Sequence, residues 1–265
     1  MYSILEHYLS TNHILMIGMI VTFILTFFLL EHPFSFLPSD QGRAFAVNGS
    51  LSKGKLRGVG FIFVLCFLIS SVLFLPIDVE YVIYAILLFA MMISGYLDDA
   101  SKTPWNEYKK GLIDLVISVV AVLTYMNFNS TTICFGADEI VIPKALFLIL
   151  GVILIWVSVN VTNCTDGVDG LCASLCSVTL LAFGVLFASV LQKYAMANFL
   201  FLSVLFAYLY FNSSPSSMLM GDAGSRALGF YIAVIALKST HPFIYILLAA
   251  VMIVDGGIGL VKIAL

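Results

Sequence analysis

Charge is scarce in this chain. Asp, Glu, Lys and Arg make up 10% of its 265 residues, against about 25% in an average soluble domain, while 62% are hydrophobic. A mean hydropathy of +1.10 excludes an ordinary water-soluble fold, and no segment is polar enough to form a soluble domain beside the apolar runs. Cysteine is sparse and irregular. The residues at 66, 134, 164, 172 and 176 show no paired-ligand spacing, so they carry no zinc or disulfide pattern and read as buried, inert thiols. Asn-X-Ser/Thr matches at Asn48, Asn129, Asn160 and Asn163 are short enough to recur by chance and carry no weight.

What remains is a succession of apolar runs long enough to cross a hydrocarbon core of about 30 Å. Nine spans are expected: 14–30, 59–75, 81–97, 112–128, 145–159, 171–191, 195–211, 227–237 and 243–263. In lipid every backbone polar group must be satisfied internally, so each reads as a helix and the fold class as an all-α, polytopic membrane bundle. The eighth run is too short for a full span; it tilts little, begins inside the preceding polar loop, or crosses only part of the way. Glu6 and His7 stand where a signal peptide would carry basic residues, so the first run is expected to be an uncleaved span.

Basic residues separate the two membrane faces. Arg43, Lys53, Lys55, Arg57, Lys102, Lys109, Lys110, Arg226 and Lys262 fall on one side; Lys144, Lys193 and Lys238 fall on the other. The positive-inside bias therefore places the amino terminus outside and the richer loops in the cytoplasm. The outer connections, "PIDVE", "NSTTICFGADEIVIPK", "QKY" and "KSTHP", read as turns. Four inner loops hold nearly all the chemistry, so they converge on one candidate site. Transport proteins gather ionisable groups near the midplane instead, and no internal repeat is visible.

Asp98, Asp99, Asp166, Asp169 and Asp222 bring five carboxylates to that face. Hard oxygen ligands suit Mg²⁺, which keeps several waters and is commonly completed by substrate phosphates. A single Asp at a helix end is more often a cap; five together are not. Lys53, Lys102, Lys109 or Lys110, and Arg226 are placed to neutralise phosphate oxygens, whereas Arg57 and Lys262 read as topogenic charges or lipid contacts. Glycines in "TDGVDG" and "MGDAGSRALG" allow a close backbone approach to an anion.

Three stretches, "LDDASK", "NVTNCTDGVDGL" and "MGDAGSRALGF", resemble in order and spacing the signature segments of polyprenyl-phosphate hexosamine-1-phosphate transferases, most nearly the bacterial phospho-N-acetylmuramoyl-pentapeptide transferase branch. The likeness runs from "DQGRAFAVNGSLSKGKLRGVG" almost to the end. It implies Mg²⁺-dependent transfer of a phospho-sugar from a UDP-linked amino-sugar donor, UDP-MurNAc-pentapeptide, to undecaprenyl phosphate, giving lipid I and UMP. It further implies a homodimer in the bacterial inner membrane with a cytoplasmic active site, and no nucleic acid polymer as partner. Carried residue by residue, Asp222 is the metal ligand with Asp99, and Asp98 and Asp99 form the acidic pair at the phosphates. Asn163 and Asp166 lie at the nucleoside side; Gly167 and Asp169 belong to the substrate-binding set, with Asp169 alternatively a cap of the next helix. Lys53, Lys102, Lys110, Asn212 and Leu219 complete the substrate-binding set.

The chain departs from the family at three places. Leu219 stands where an aromatic often stacks on uracil, the "DDASKTPWNEYKKG" loop is short, and the His-rich loop and tenth helix are missing. Residues 1–265 are therefore expected to be one catalytic domain of a longer protein. A donor such as UDP-GlcNAc is the alternative within the class, and an ion-coupled transporter the alternative outside it.

Overall fold

The computed structural model describes residues 1–32, 34–40, 42, 52–103, 105–136 and 138–264, with the backbone alone at 260 and 262–264. Arg43, Asn48 and the side chain of Lys262 lie outside the described set. After a short turn of helix, α1 (Tyr2–Leu5), the chain builds α2 (Thr11–Glu31), α3 (Gly60–Phe74), α4 (Val79–Asp99) and α5 (Glu107–Phe128). An antiparallel hairpin, β1 (Thr132–Phe135) and β2 (Asp138–Val141), leads into α6 (Lys144–Thr165), α7 (Leu171–Leu186) and α8 (Gln192–Asn212). Then come α9 (Gly221–Lys238), α10 (Pro242–Leu248) and α11 (Ala250–Ala264).

Local chemistry sets several of these starts. Asp78 accepts from the Tyr81 N–H at 2.8 Å and Asn106 from the Tyr108 N–H at 3.0 Å, capping α4 and α5, while Pro242 opens α10 with its fixed φ. Five helices are long and apolar enough to cross a bilayer, and α10 with α11 make a sixth if counted as one bent span. Apolar side chains such as Ile20, Val120 and Ile153 are exposed on the bundle's flank. An apolar flank suits hydrocarbon and not water, and the chain is an all-α, multi-pass membrane protein.

Each of the nine expected spans falls wholly or mostly on a helix, the sixth ending early at Leu186, and three further expectations change. The eighth, expected over 227–237, begins at Gly221 inside the polar loop, and α9 is buried from end to end. The ninth is broken: α10 and α11 meet at 74°. No Pro or Gly marks that break. The Thr179 and Thr165 hydroxyls, bonded first to Leu175 and Val161 of their own helices at 2.9 and 3.0 Å, also lie 3.3 Å from the carbonyls of Leu248 and Met252 beside it. The connection "NSTTICFGADEIVIPK", expected as a turn, contains the hairpin, whose β1 also bonds to Thr240 through the Cys134 N–H at 2.8 Å.

Helix α9 is the axis of the bundle, with α4 and α6 packed most extensively along it and α3 adding to its cover. The α4 contact requires glycine at 95. A Cβ there would lie 2.3 Å from the Asp222 carbonyl oxygen, so only a hydrogen lets the last turn of α4 reach the first turn of α9. That approach brings Asp98 and Asp99 beside Asp222. At the opposite end, Lys238 at the close of α9 pairs with buried Glu80 at 2.9 Å and donates to the Asn129 side-chain oxygen Oδ1 at 2.7 Å. The central helix is thus tied by charge at both ends.

Candidate active site

The carboxyl ends of α4, α6 and α8 and the amino ends of α5 and α9 meet at one end of the bundle. Residues 52–59 run across that end, paired through Leu56 to Met218 and hydrogen-bonded from Val59 and Gly60 to the carbonyls of Leu219 and Met220. Gly58 and Gly221 both take positive φ here. At Gly221 the requirement is double, since a Cβ would also stand 2.3 Å from Asp99 Oδ2.

Helix α9 has no side-chain cap of its own, and α4 supplies one. Asp99 Oδ2 accepts from the Ala223 N–H at 3.0 Å, placing a negative carboxylate at the positive end of the helix dipole. Its other oxygen, Oδ1, accepts from Arg57 Nε at 2.8 Å, and the side chain is fully sealed from solvent. Neighbouring Asp98 accepts from the Trp105 N–H at 2.7 Å and pairs with Lys110 at 2.7 Å.

Asp222 is bracketed by two cations. Arg57 Nη2 lies 3.3 Å from Oδ1 and Lys110 Nζ 3.6 Å from Oδ2. Arg57 also reaches Asp40 at 3.4 Å, and Asp40 accepts from the Ser52 hydroxyl at 2.5 Å and the Gly42 N–H at 3.1 Å. Burial works against the guanidinium's charge, yet Asp99, Asp222 and Asp40 outweigh it and raise its pKa above the ordinary arginine value. Among the described residues Asp40, Asp98, Asp99, Glu107 and Asp222 thus gather around Arg57 and Lys110.

That arrangement has the chemistry of a divalent-cation site. The donors are all oxygen and negative charge is in excess. Among the described residues no trio of His, Cys, Asp or Glu is arranged to hold a metal, so a divalent ion here would have to be completed by waters and substrate phosphates. Asp222, which Arg57 and Lys110 reach only at 3.3 and 3.6 Å, is the carboxylate able to hold it.

The other expected residues divide into those beside this centre and those farther off. Asn163 Nδ2 donates to the Ser225 hydroxyl at 2.9 Å, one turn from Gly221. Asp166 forms the C-cap of α6 and Gly167 follows in the turn. Asp169 Oδ2 accepts from the Ser216 N–H at 3.0 Å and faces Lys55 at 3.7 Å, tying the loop before α7 to the loop before α9. Asn212 closes the same joint: its Oδ1 accepts from the Gly170 N–H and its Nδ2 donates to the Met218 carbonyl, both at 3.0 Å. Leu219 is buried, and its N–H bonds to the Leu56 carbonyl at 2.8 Å. Lys53 and Lys102 are exposed. Lys110 turns toward the acids, whereas Lys109 lies 3.3 Å above the Trp105 ring.

Two basic residues are reassigned. Arg57, expected as a topogenic charge, links three carboxylates because residues 52–59 fold inward and not along the lipid. Arg226, expected to meet phosphate, is 2% exposed and paired to Asp114, one turn below the site. Asp40, Lys55 and Asp114 went unrecognised in the sequence. The one available signal for Arg57 was its place in the same polar loop as Lys53, just before a glycine.

The sequence pattern of glycosyl transferase family 4 matches residues 81–240. The phospho-N-acetylmuramoyl-pentapeptide-transferase of Treponema pallidum (strain Nichols) is 35% identical over 94% of this chain and 75% of its own. The protein of the same name from Halalkalibacterium halodurans is 28% identical over 92% of this chain and 81% of its own. A third, from Dictyoglomus turgidum, is 25% identical over 92% and 80%. By its match to the family pattern and its likeness to these transferases, the chain belongs to glycosyl transferase family 4.

Proposed function

We propose that the protein transfers phospho-MurNAc-pentapeptide from its UDP carrier to undecaprenyl phosphate, releasing UMP and forming lipid I. One observation carries the reading: Asp222 sits between Arg57 and Lys110 where α4, α5 and α9 meet. An oxygen-rich, cation-flanked pocket at one end of an apolar bundle suits a substrate with two phosphates and an acceptor that lives in the bilayer. The name that the three relatives bear supports the same reading.

Mg²⁺ held at Asp222 would supply charge neutralisation on the donor pyrophosphate. Asp99, expected as a metal ligand, is assigned instead a positioning role, since both its oxygens are engaged by Arg57 and the start of α9. Undecaprenyl phosphate is largely dianionic at neutral pH, its second pKa being about 6, and attacks the donor's β-phosphorus directly. The new P–O bond forms as the bond to the bridging oxygen breaks, and that oxygen leaves on UMP. Lys110 and Arg57 offset the charge gathering on the phosphoryl oxygens, and Asp98 orients the acceptor. Asn163, Asp166 and Gly167 border the nucleoside side, with Lys53 and Lys102 at the rim.

The excess of basic residues on this face supports a cytoplasmic site, the bacterial origin of the relatives supports the inner membrane, and a homodimer is the proposed assembly. Detergent-solubilised protein with Mg²⁺ and undecaprenyl phosphate should release UMP from UDP-MurNAc-pentapeptide. Release from UDP-GlcNAc alone would move the assignment to the related GlcNAc-1-phosphate transferases. Solute movement without UMP release would turn the reading to transport.

A further inference from the structure

The two cations beside Asp222 are each anchored elsewhere. Arg57 holds Asp99 at 2.8 Å and Lys110 holds Asp98 at 2.7 Å, the length of a full charge-assisted bond. Their reaches to Asp222 are longer, 3.3 and 3.6 Å. Both cations are fixed to the sealed acids of α4 and lean loosely on the acid of α9. For Arg57 the anchoring atom is Nε, so its terminal nitrogens, Nη1 and Nη2, are the loosely held ones at 3.4 and 3.3 Å.

A guanidinium carries five N–H donors in a planar fork. Three of Arg57's meet acceptors among the described residues, leaving one hydrogen on each terminal nitrogen. Once Nη2 is released from Asp222, the two terminal nitrogens can turn a pair of hydrogens toward two oxygens of one phosphate. Exposure agrees: the Asp40 and Asp99 side chains are 0% exposed, whereas Arg57 retains 31%. A charge needed only for topology would be wet on all sides and unpaired. A purely structural arginine would be sealed with the acids it joins.

We propose that Arg57 is the phosphate clamp of the site: Asp99 anchors it through Nε, and its terminal nitrogens pass from Asp222 to the donor pyrophosphate when that anion arrives with its divalent cation. The exchange conserves pairing. Asp222 loses a guanidinium contact and gains the cation, while Arg57 loses a carboxylate and gains a phosphate. Arg57 and the incoming metal therefore compete for Asp222 until pyrophosphate is present and cooperate afterwards. This role rests on the phospho-sugar transfer reading, which the release of UMP by the unaltered protein tests by itself.

The test measures binding to the full chain in detergent, with Mn²⁺ alone and with inorganic pyrophosphate in the presence of Mn²⁺, for the unaltered protein, Arg57→Ala and Arg57→Lys. Arg57→Ala should bind Mn²⁺ alone as tightly or more tightly, and pyrophosphate at least about tenfold more weakly, the order of one charge-assisted pair. Arg57→Lys keeps a charge among the three acids and loses the fork, so it guards against a failure of the alanine variant to fold. It too should lose pyrophosphate affinity and keep Mn²⁺ affinity. Pyrophosphate binding within twofold of the unaltered protein in both variants overturns the clamp. So does an equal loss of Mn²⁺ and pyrophosphate in folded Arg57→Lys, which marks a structural role only.

Discussion

Asp114 on α5 and Arg226 on α9 form an ion pair directly beneath the one that Lys110 and Asp222 make on the same two helices. Each residue of the lower pair follows its counterpart above by four positions, one helical turn. Both members are 2% exposed. Helix α5 packs broadly on α4 and α6 and only slightly on α9, so these charges are its main tie to the central helix. They set the register in which Lys110 reaches Asp222.

Removing one partner should therefore be costly. Asp114→Ala leaves the Arg226 guanidinium buried without its carboxylate, while its Nε and Nη1 already have no partner among the described residues. A loss of about 3–5 kcal/mol is expected from breaking such a pair, read as a lower unfolding temperature in detergent. Asp114→Leu with Arg226→Leu should recover much of that stability, because it removes the stranded charge. The double variant should still transfer poorly if the pair sets the Lys110 register.

Asp222→Asn tests the centre itself. The amide keeps the shape at the start of α9 but loses the charge shared by Arg57 and Lys110. UMP release should fall by at least about 10²-fold, the scale of losing one preorganised electrostatic group, with an unfolding temperature close to that of the unaltered protein. Turnover within a few-fold of normal would remove Asp222 from the reaction.

Gly95→Ala probes the joint between α4 and α9. Its Cβ would meet the Asp222 carbonyl at 2.3 Å, a distance that forces the helices apart. Since both walls are backbone, no rotamer change relieves it, and a penalty of about 1–3 kcal/mol is expected. Asp98 and Asp99 move with α4, so UMP release should drop further than the stability loss accounts for. Comparing initial rates with the folded fraction at one temperature separates the two effects.

How much of this was visible beforehand follows from which forces leave a mark on sequence. Hydrophobic runs marked the helices, and basic asymmetry grouped the acids on one end, because burial and charge placement both show in residue type. Asp98 and Asp222 are legible as site acids, and Lys110 as one of two candidate lysines with Lys109; the structure brings Asp98, Lys110 and Asp222 together. Arg57 was dismissed because its role depends on where residues 52–59 fold, which no local pattern records. Asp99 reads as a ligand in sequence, yet its geometry is that of a cap lent by one helix to another. The break at Ala249 carries no Pro or Gly, so residue type gives it no mark.

Asp169 predicts a pH dependence of stability. Burial favours its neutral form, but the Ser216 N–H and Lys55 outweigh that and hold its pKa below the usual carboxylate range. A depressed native pKa stabilises above the unfolded value, about 3.9, and the contribution disappears as pH falls through the native value. Asp169→Asn should therefore lower the unfolding temperature at pH 7, with the gap to the unaltered protein narrowing below about pH 4. A gap that stays constant from pH 7 to 3 would show that the carboxylate's charge is not what ties these loops.

Asp98 separates two chemical routes. A carboxylate nucleophile needs an oxygen free to attack, but Asp98 is held by the Trp105 N–H and by Lys110, with its side chain 5% exposed. Those bonds suit orientation or proton removal. The acceptor phosphate loses its second proton near pH 6, so above that value it attacks without help. Asp98→Asn should approach normal UMP release at pH 8 and fall well behind the unaltered enzyme at pH 5.5, as initial rates at saturating donor will show. An equally deep loss at both pH values, together with a phosphorylated enzyme trapped from the donor in the absence of acceptor, would instead support a covalent intermediate on this carboxylate.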